Sequence, residues 1–521
     1  MSNNSWKKDL SHTKPHPNPL LKERGQAASG EKTAASSLLQ ERIERGVASE
    51  ASESKTTQSL SIENTWDFYD DVRYIWEAIA GINESVVRQI SAENQEPEWM
   101  LDLRLKALKL YEARPMPTWG PDLSKLDLDS IYYFRRPEGA GNNKSWNDVP
   151  ENIKNTFERL GIPEAEKKAL AGVGAQYDSE TVYHSLKQEI ADQGVIFHDL
   201  SHALKQPEYQ DLIRKYFSKS IPLNDHKFSA LHYSVWSGGT FLYVPKWVKV
   251  SEPLQSYFRM NVKKWGQFEH TLIIVEDDAE AHYIEGCSAP KYDENSLHAG
   301  GVEIFVGKNA TMRYSSVENW SLDTYNLNTK RAIVQEWGYI EWVGGNLGSH
   351  TTMLYPCSVL VWDNSRADHL GIAFANAGQN QDTGAKVIHI GKNTSSSIVS
   401  KSLSKWGGLS TYRGLVDIKP WATGAVTKIE CDALLLDNIS GSDTIPDIRV
   451  GNTESIVAHE ASAGKINEDD LFYLQSRGID EEQAAAMIVN GFISPIAKEL
   501  PLEYASELNV LISMEMEGSI G

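Results

Sequence analysis

The sequence predicts a mainly β protein whose centre is a parallel β-helix, flanked by a helical N-terminal region and a C-terminal helical domain. Short β-branched runs fill the middle of the chain and are broken by Gly, Asn and Asp. Five of them, aligned on Val306, Val334, Trp362, Ile390 and Ile418, follow one another at one constant interval. On either side of this block the apolar spacing turns helical. A fixed interval over five segments implies stacked coils, each burying its inward side chains against the next. A β-sandwich is the alternative, and it fits less well because sandwiches do not hold so constant a spacing.

Residues 1–60 are rich in Ser, Ala, Lys and Glu and show no apolar periodicity, so they are expected to be a disordered extension. They contain no apolar run of the secretory type, and acids such as Glu23, Glu41 and Glu44 argue against a transit peptide. From 61 to 200 the pattern is helical. Within Glu98–Leu110, residues Leu101, Leu105 and Leu108 share one helix face, and the helix has to end before Pro115 and Pro117. Residues 201–462 carry the repeat, with Gly-Lys-Asn turns at Gly307 and Gly391. From 463 to 521 helices return: Asn467 caps one that ends at Gly478, and Asp480 with Gln483 opens a second in the manner of a capping box. A third amphipathic segment follows Pro501. Phe472, Leu474, Met487, Ile488 and Phe492 are expected mostly in the core of this domain.

Composition excludes several classes. The net charge of −20 disfavours a nucleic-acid partner, which wants clustered Lys and Arg, and no run of eighteen apolar residues exists to span a bilayer. Gly391-Lys392 is followed by Asn393, so there is no Walker A loop and no expectation of ATP hydrolysis. A β-helix polysaccharide lyase would need acids or bases clustered on one coil face and is usually secreted, which this sequence does not suggest.

The chemistry resides in few residues. Three cysteines, Cys287, Cys357 and Cys431, are too few for a disulfide framework and point to a reducing, cytoplasmic setting. They also fall short of the four thiolates of an ordinary iron–sulfur site, so any cluster would need other ligands or a second subunit. Cys431 is followed one repeat interval later by His459 and then Glu460. That interval places Cys431 and His459 side by side on neighbouring coils, about 4.8 Å apart, with Glu460 on the opposite face of its strand unless a bulge re-aims it. Alone, Cys431 reads as a small buried residue and His459-Glu460 as a surface pair; together within one repeat they point to metal ligation. Cys287, between Gly286 and Pro290, is expected at a loop or strand end where its thiol could accept sulfur by exchange. Counting one longer coil, from Val275 to Val306, and four of the regular interval sets Cys287 and Cys431 in one column about five coils apart, roughly 24 Å and too far for direct exchange. Cys357 falls off this column and is expected in the core.

The Glu-Gly-Cys-Ser-Ala-Pro segment around Cys287, the Cys431 and His459-Glu460 segments, and the Leu-Phe-Tyr-Leu-Gln-Ser-Arg-Gly-Ile and Met-Ile-Val-Asn-Gly-Phe patterns carry a resemblance from about Asn64 onward. The chain resembles the SufB branch of the SufB/SufD family, the scaffold subunits of SUF iron–sulfur cluster assembly. That resemblance implies a right-handed β-helix and a transient iron–sulfur cluster anchored by Cys431, with Glu460 and His459 adding ligands. It further implies sulfur acceptance at Cys287, with Arg259, Asn261, Trp320 and Lys330 as candidates to line the sulfur path. The implied partners are the ATPase SufC, docked through the helices that carry Phe472, Leu474, Met487, Ile488 and Phe492, and the paralogue SufD. A cysteine desulfurase with a SufE- or SufU-type carrier would donate sulfur, and apoproteins would receive the cluster. Reduced flavin (FADH2) is a further cofactor reported for some members. SufD shares the fold, and the presence of both Cys287 and Cys431 argues against that assignment.

Overall fold

The computed structural model describes residues 74–138, 146–149, 153–155, 170–261, 264–289 and 296–498; the expected extension at 1–60 and the segment after Pro501 lie outside them. Among these residues the strands form a two-stranded, a ten-stranded and a fourteen-stranded sheet, and the larger two wrap into a β-helix of about seven coils. The fourteen-stranded sheet doubles back through the long strand Leu409–Ile418, so each coil has three faces. Inward side chains such as Tyr283, Met312, Ile340, Ile398 and Ile429 form one continuous buried core.

The interval between coils is not constant. Val306, Val334, Leu360, His389 and Ile418 are successive ladder partners, and the coil from Val334 to Leu360 is shorter than those that flank it. The longer coils that follow restore the average, so a fixed spacing finds Val306, Val334 and Ile418 yet lands on Trp362 and Ile390 in place of Leu360 and His389. One corner keeps the coils aligned. Trp247, Asp278, Asn309, Trp337, Asn364, Asn393 and Gly424 all have positive φ. Each corner N–H from Trp247 to Asn393 bonds the carbonyl just before the corner residue of the next coil. Asn, Asp and Gly tolerate this left-handed conformation best, which is why they punctuate the repeat.

The helix Glu98–Ala113 forms and stops before Pro115, with its buried face shifted from the expected one to Met100, Arg104, Ala107, Leu108 and Tyr111. Leu101 and Leu105 are half-buried instead. Arg104 turns inward because Glu96 and the carbonyls of Ser234 and Trp236 satisfy its guanidinium. The helical block is also shorter than its expected span to residue 200. Gly172–Tyr177 and Glu180–Leu186 form an antiparallel hairpin that extends the ten-stranded sheet and covers the edge of the first coil. Helices Leu200–Lys205, Pro207–Tyr216 and Lys227–Val235 fall instead inside the stretch expected to be β-helix.

At the other end Asn467 and Asp480 cap Glu468–Gln475 and Glu481–Ala497 as expected. The second helix lays Ala484, Val489, Ile493 and Ile496 on the outer face of the ten-stranded sheet. The residues expected in this core sit mostly elsewhere: Phe472 is 70% and Met487 52% exposed, while Leu474, Ile488 and Phe492 are half-buried, because they lie off the face that meets the sheet. No described helix is long and apolar enough to cross a membrane.

Candidate functional site

Cys287 and Cys431 lie on the same ten-stranded sheet, five ladder steps apart, and both point into the β-helix. At the usual strand spacing that is roughly 24 Å. Cys431 does not share a column with Cys287. Its ladder partners run through Ser400, Gly371, Gly344 and Ser316 to Glu285, which precedes Cys287 on the same strand and the same face.

Cys287 sits at a strand end as expected, but its thiol is not reachable there. It lies within the strand Glu280–Ser288, is 2% exposed, and packs with Phe258, Met260, Trp265 and Trp320. Around it is a chain of buried polar groups. Lys330 bonds Glu318 at 2.7 Å and Glu285 at 3.2 Å; Asn326 donates to Glu318 at 2.6 Å; and His298 donates to Asn326 at 2.9 Å and to Glu269 at 2.6 Å. Three carboxyl groups thus face Lys330 and His298. Burial, and then the charges of Glu285, Glu318 and Glu269, push the Cys287 thiol well above its ordinary range, with Lys330 opposing. The thiol is therefore protonated and closed off, because Phe258 on one adjacent coil and Glu318 on the other face it directly. Burial works against a charge on His298, yet Glu269 overcomes it and raises the imidazole above its usual value.

Of the residues expected to line a sulfur path, Arg259, Asn261 and Trp320 gather at the Cys287 end. Arg259 donates to Ser288 at 2.9 Å, the Asn261 amide donates to Asp178 at 2.8 Å, and the Trp320 ring lies 4.2 Å from His298. Lys330 alone also reaches the interior beyond. There a cavity of about 50 Å³ runs from Tyr314, Ser316 and Lys330 past Gly344, His369 and Gly371 to Ser400 and Tyr412. A side chain at Gly371 would meet nothing within 4 Å, and one at Gly344 only Ser316 at 3.7 Å, so the absence of side chains here leaves the space open. Sequence reasoning missed this column. Its signal was available, since Ser316, Gly344, Gly371 and Ser400 are small residues separated by coil-length intervals.

The cavity ends against Tyr412, whose hydroxyl interacts with the Cys431 thiol. Cys431 is 4% exposed, and burial first, with Asp432 adding, pushes its thiol up to about 12. Asp432 turns to the outer face, bonding Lys401 at 2.9 Å and Ser462 at 2.6 Å.

The expected pairing of Cys431 with His459 is not formed. The last coil is longer than the repeat interval, so Cys431 faces Ala461, His459 faces Ile429 and Glu460 faces Glu430. The irregular stretch after Asp437 supplies the extra length. His459 shares the inward parity of Cys431 but sits diagonally, about 7–8 Å away. Glu460 lies on the opposite face, and no bulge turns it. Both are exposed, because no coil follows. Among the described residues no three of His, Cys, Asp and Glu converge closely enough to hold a metal ion. Cys357 is buried as expected, on the outer face of the fourteen-stranded sheet.

Comparison with known proteins gives two family matches that together span most of the chain. The profile described as SUF system FeS cluster assembly, SufBD core domain, matches residues 258–492, and that of the SufBD protein N-terminal region matches residues 88–256. Iron–sulfur cluster assembly SufBD family proteins of Staphylococcus aureus strains MRSA252 and USA300 are each 54% identical over 456 residues, covering 88% of this chain and 97% of the relative. A Staphylococcus saprophyticus protein of the same description matches to the same extent.

Proposed function

This chain belongs to the SufBD family of SUF-system iron–sulfur cluster assembly proteins, and we propose that within it the chain is the SufB-type scaffold on which a nascent cluster is built and passed to apoproteins. The observation that carries this reading is the interior cavity that lies on the coils between the two buried thiols. Sulfur delivered by a cysteine desulfurase through a SufE- or SufU-type carrier is accepted at Cys287. The outer sulfur of the carrier's persulfide passes to Cys287 as the carrier's thiolate leaves; a dithiol reductant, itself oxidised to a disulfide, then releases it as hydrosulfide, which passes along the cavity at Lys330, Gly344 and Gly371 to iron held at Cys431 beside Tyr412. A space of about 50 Å³ is enough for small species of the size of water or hydrosulfide.

Cys431 then anchors the cluster, which is cargo, with His459 and Glu460 as neighbouring ligands. Their separation in the isolated chain supports a site completed across an interface. The terminal strands Gly441–Val450 and Ile456–Lys465 are largely exposed, with Ile445, Ile448, Val450 and Ile456 uncovered. A SufD β-helix stacked on this end supplies the remaining ligands. SufC docks on the C-terminal helices through Phe472, Met487 and their half-buried neighbours Leu474, Ile488 and Phe492. Its ATP-driven closure opens the buried thiols, since this chain has no nucleotide-hydrolysing loop of its own. The setting is cytoplasmic, and the chain is a scaffold, not an enzyme. Both thiols are buried, which leaves no open face for a flavin ring at either, and no step here runs through reduced flavin.

Anaerobic reconstitution of the chain with SufC and SufD tests this. With iron and free sulfide, Cys431→Ser is expected to abolish the visible charge-transfer absorbance while the complex still assembles. An unchanged spectrum would return Cys431 to the core and leave a SufD-like structural role. Gly371→Leu is expected to block clusters built from desulfurase-supplied sulfur while sparing those built from free sulfide. Equal yields from both sources would remove the interior route.

A further inference from the structure

A second cleft lies well away from both thiols, on the outer face of the fourteen-stranded sheet. Arg331, Cys357, Lys386 and Leu415 are directly paired on four successive coils, so the two cations flank the thiol about 4.8 Å to either side. Over this column lie the loop after the Glu98–Ala113 helix, with Arg114 and Trp119, and the start of the Lys227–Val235 helix. Between them is a space of about 610 Å³, in the range of small-molecule sites and larger than packing defects leave.

Its charge is anomalous for a chain of net charge −20. Four cations line it, Arg114, Lys227, Arg331 and Lys386, against the single carboxylate of Asp225. Only Arg331 pairs with that carboxylate, at 2.7 Å, and its buried Nε has no oxygen or nitrogen acceptor among the described residues. Lys227 donates to the carbonyls of Tyr111 and Arg114, at 2.9 and 2.7 Å, and Arg114 reaches the Asp225 carbonyl, so neither is neutralised by an acid. Lys386 has no ion pair among the described residues; its ammonium lies 4.9 Å from the Tyr355 ring centre, and burial pulls its pKa down. The neighbouring acid Asp382 is already held by Arg413 at 2.7 Å and by the Tyr355 hydroxyl at 2.8 Å. His226, also in the lining, is kept neutral, its pKa pulled to about 4 chiefly by burial. The opposite wall is flat and aromatic: Trp119 and Tyr355 have ring centres 6.0 Å apart, and Trp119 is 49% exposed.

Under-neutralised cations that converge on a preformed cleft with an aromatic wall are the chemistry of a ring-bearing anion. We propose that this cleft binds a small phosphate ester with a flat ring, of mononucleotide size, the phosphate between Arg331 and Lys386 and the ring against Trp119 and Tyr355. The proposal stands on the cleft alone and does not depend on the sulfur-handling reading.

Titration calorimetry on the full chain decides it, with adenosine monophosphate and flavin mononucleotide as ring-bearing probes and inorganic phosphate as the ringless one. Saturable binding of at least one ring-bearing probe is expected, weakened about tenfold by Lys386→Met, with added salt also weakening it. Trp119→Ala is expected to weaken the ring-bearing probe and leave phosphate unchanged. Lys386 makes no ion pair among the described residues and Trp119 is half exposed, so both variants should keep the wild-type unfolding midpoint, which the same samples report. No saturable binding of any probe, or binding that Lys386→Met does not alter, would overturn the site. Phosphate binding as tightly as either ring-bearing probe would overturn the ring-bearing ligand.

Discussion

The two thiol ends of the β-helix solve burial in opposite ways. At Cys287 the interior is crowded with titratable groups, Glu269, Glu285 and Glu318 beside Lys330 and His298, all closed to water. At Cys431 the inward groups are Ser400, Ser402, Tyr412 and Ala433, and the charges, Lys401 with Asp432 and Lys428 with Glu430, sit on the outer face. Both thiols are protonated at rest, for different reasons: negative charge adds to burial at one, and desolvation dominates at the other. One sheet can therefore carry a closed electrostatic pocket and an end open to a partner, because each coil contacts only its neighbours.

The largest test of this contrast is removal of a cation at each end. Lys330→Met strands Glu285 and Glu318 without a counter-charge and is expected to cost about 3–5 kcal/mol in urea unfolding. Lys401→Met, which frees a partly exposed Asp432, should cost at most about 1 kcal/mol. Comparable costs would dissolve the distinction. Next is acid. The interior histidines between the two ends are held neutral by burial, His369 at about 3 and His389 at about 4. Their folded pKa values lie below the unfolded one, so their contribution is present above pH 6.5 and is lost as pH falls; about 2 kcal/mol each should disappear between pH 7 and 5. His298 has the reverse sign, its stabilisation present at low pH and lost as pH rises through its elevated pKa. His298→Gln should therefore steepen the acid loss, whereas His369→Gln should flatten it. The smallest effect is kinetic: amides of Gly441–Val450 and Ile456–Lys465 should exchange faster than those of Glu280–Ser288 in the isolated chain, and slow when SufD is added. Equal rates would mean that the terminal coil is closed without a partner.

The same contrast explains what the sequence made legible. Stacked coils, the two capping residues Asn467 and Asp480, and the helix ending before Pro115 all rest on local patterns, and these read directly. Average spacing also put Cys287 and Cys431 five coils apart. What a mean interval cannot carry is register. Offsets that differ from coil to coil decide which side chain opposes which, and the extra length after Asp437 moved His459 off Cys431. The longer coil that sets Glu318 beside Cys287 can be counted in the sequence; what stayed hidden is that Glu285, Glu318 and Lys330 turn inward together. Burial of Cys287 was missed because Gly286 and Pro290 suggest a turn, while the neighbouring coils on both sides impose a strand.

The corner of left-handed residues from Trp247 to Gly424 bears on how this molecule can change length. Each N–H from Trp247 to Asn393 is tied to the next coil, so a short deletion between corners has to be absorbed on the other faces or the inward set turns outward. Removing one corner residue together with everything up to the next leaves every remaining corner in phase. The distance between the two thiols is thus quantised: descent can shorten or lengthen it only by whole coils, in steps of about 4.8 Å.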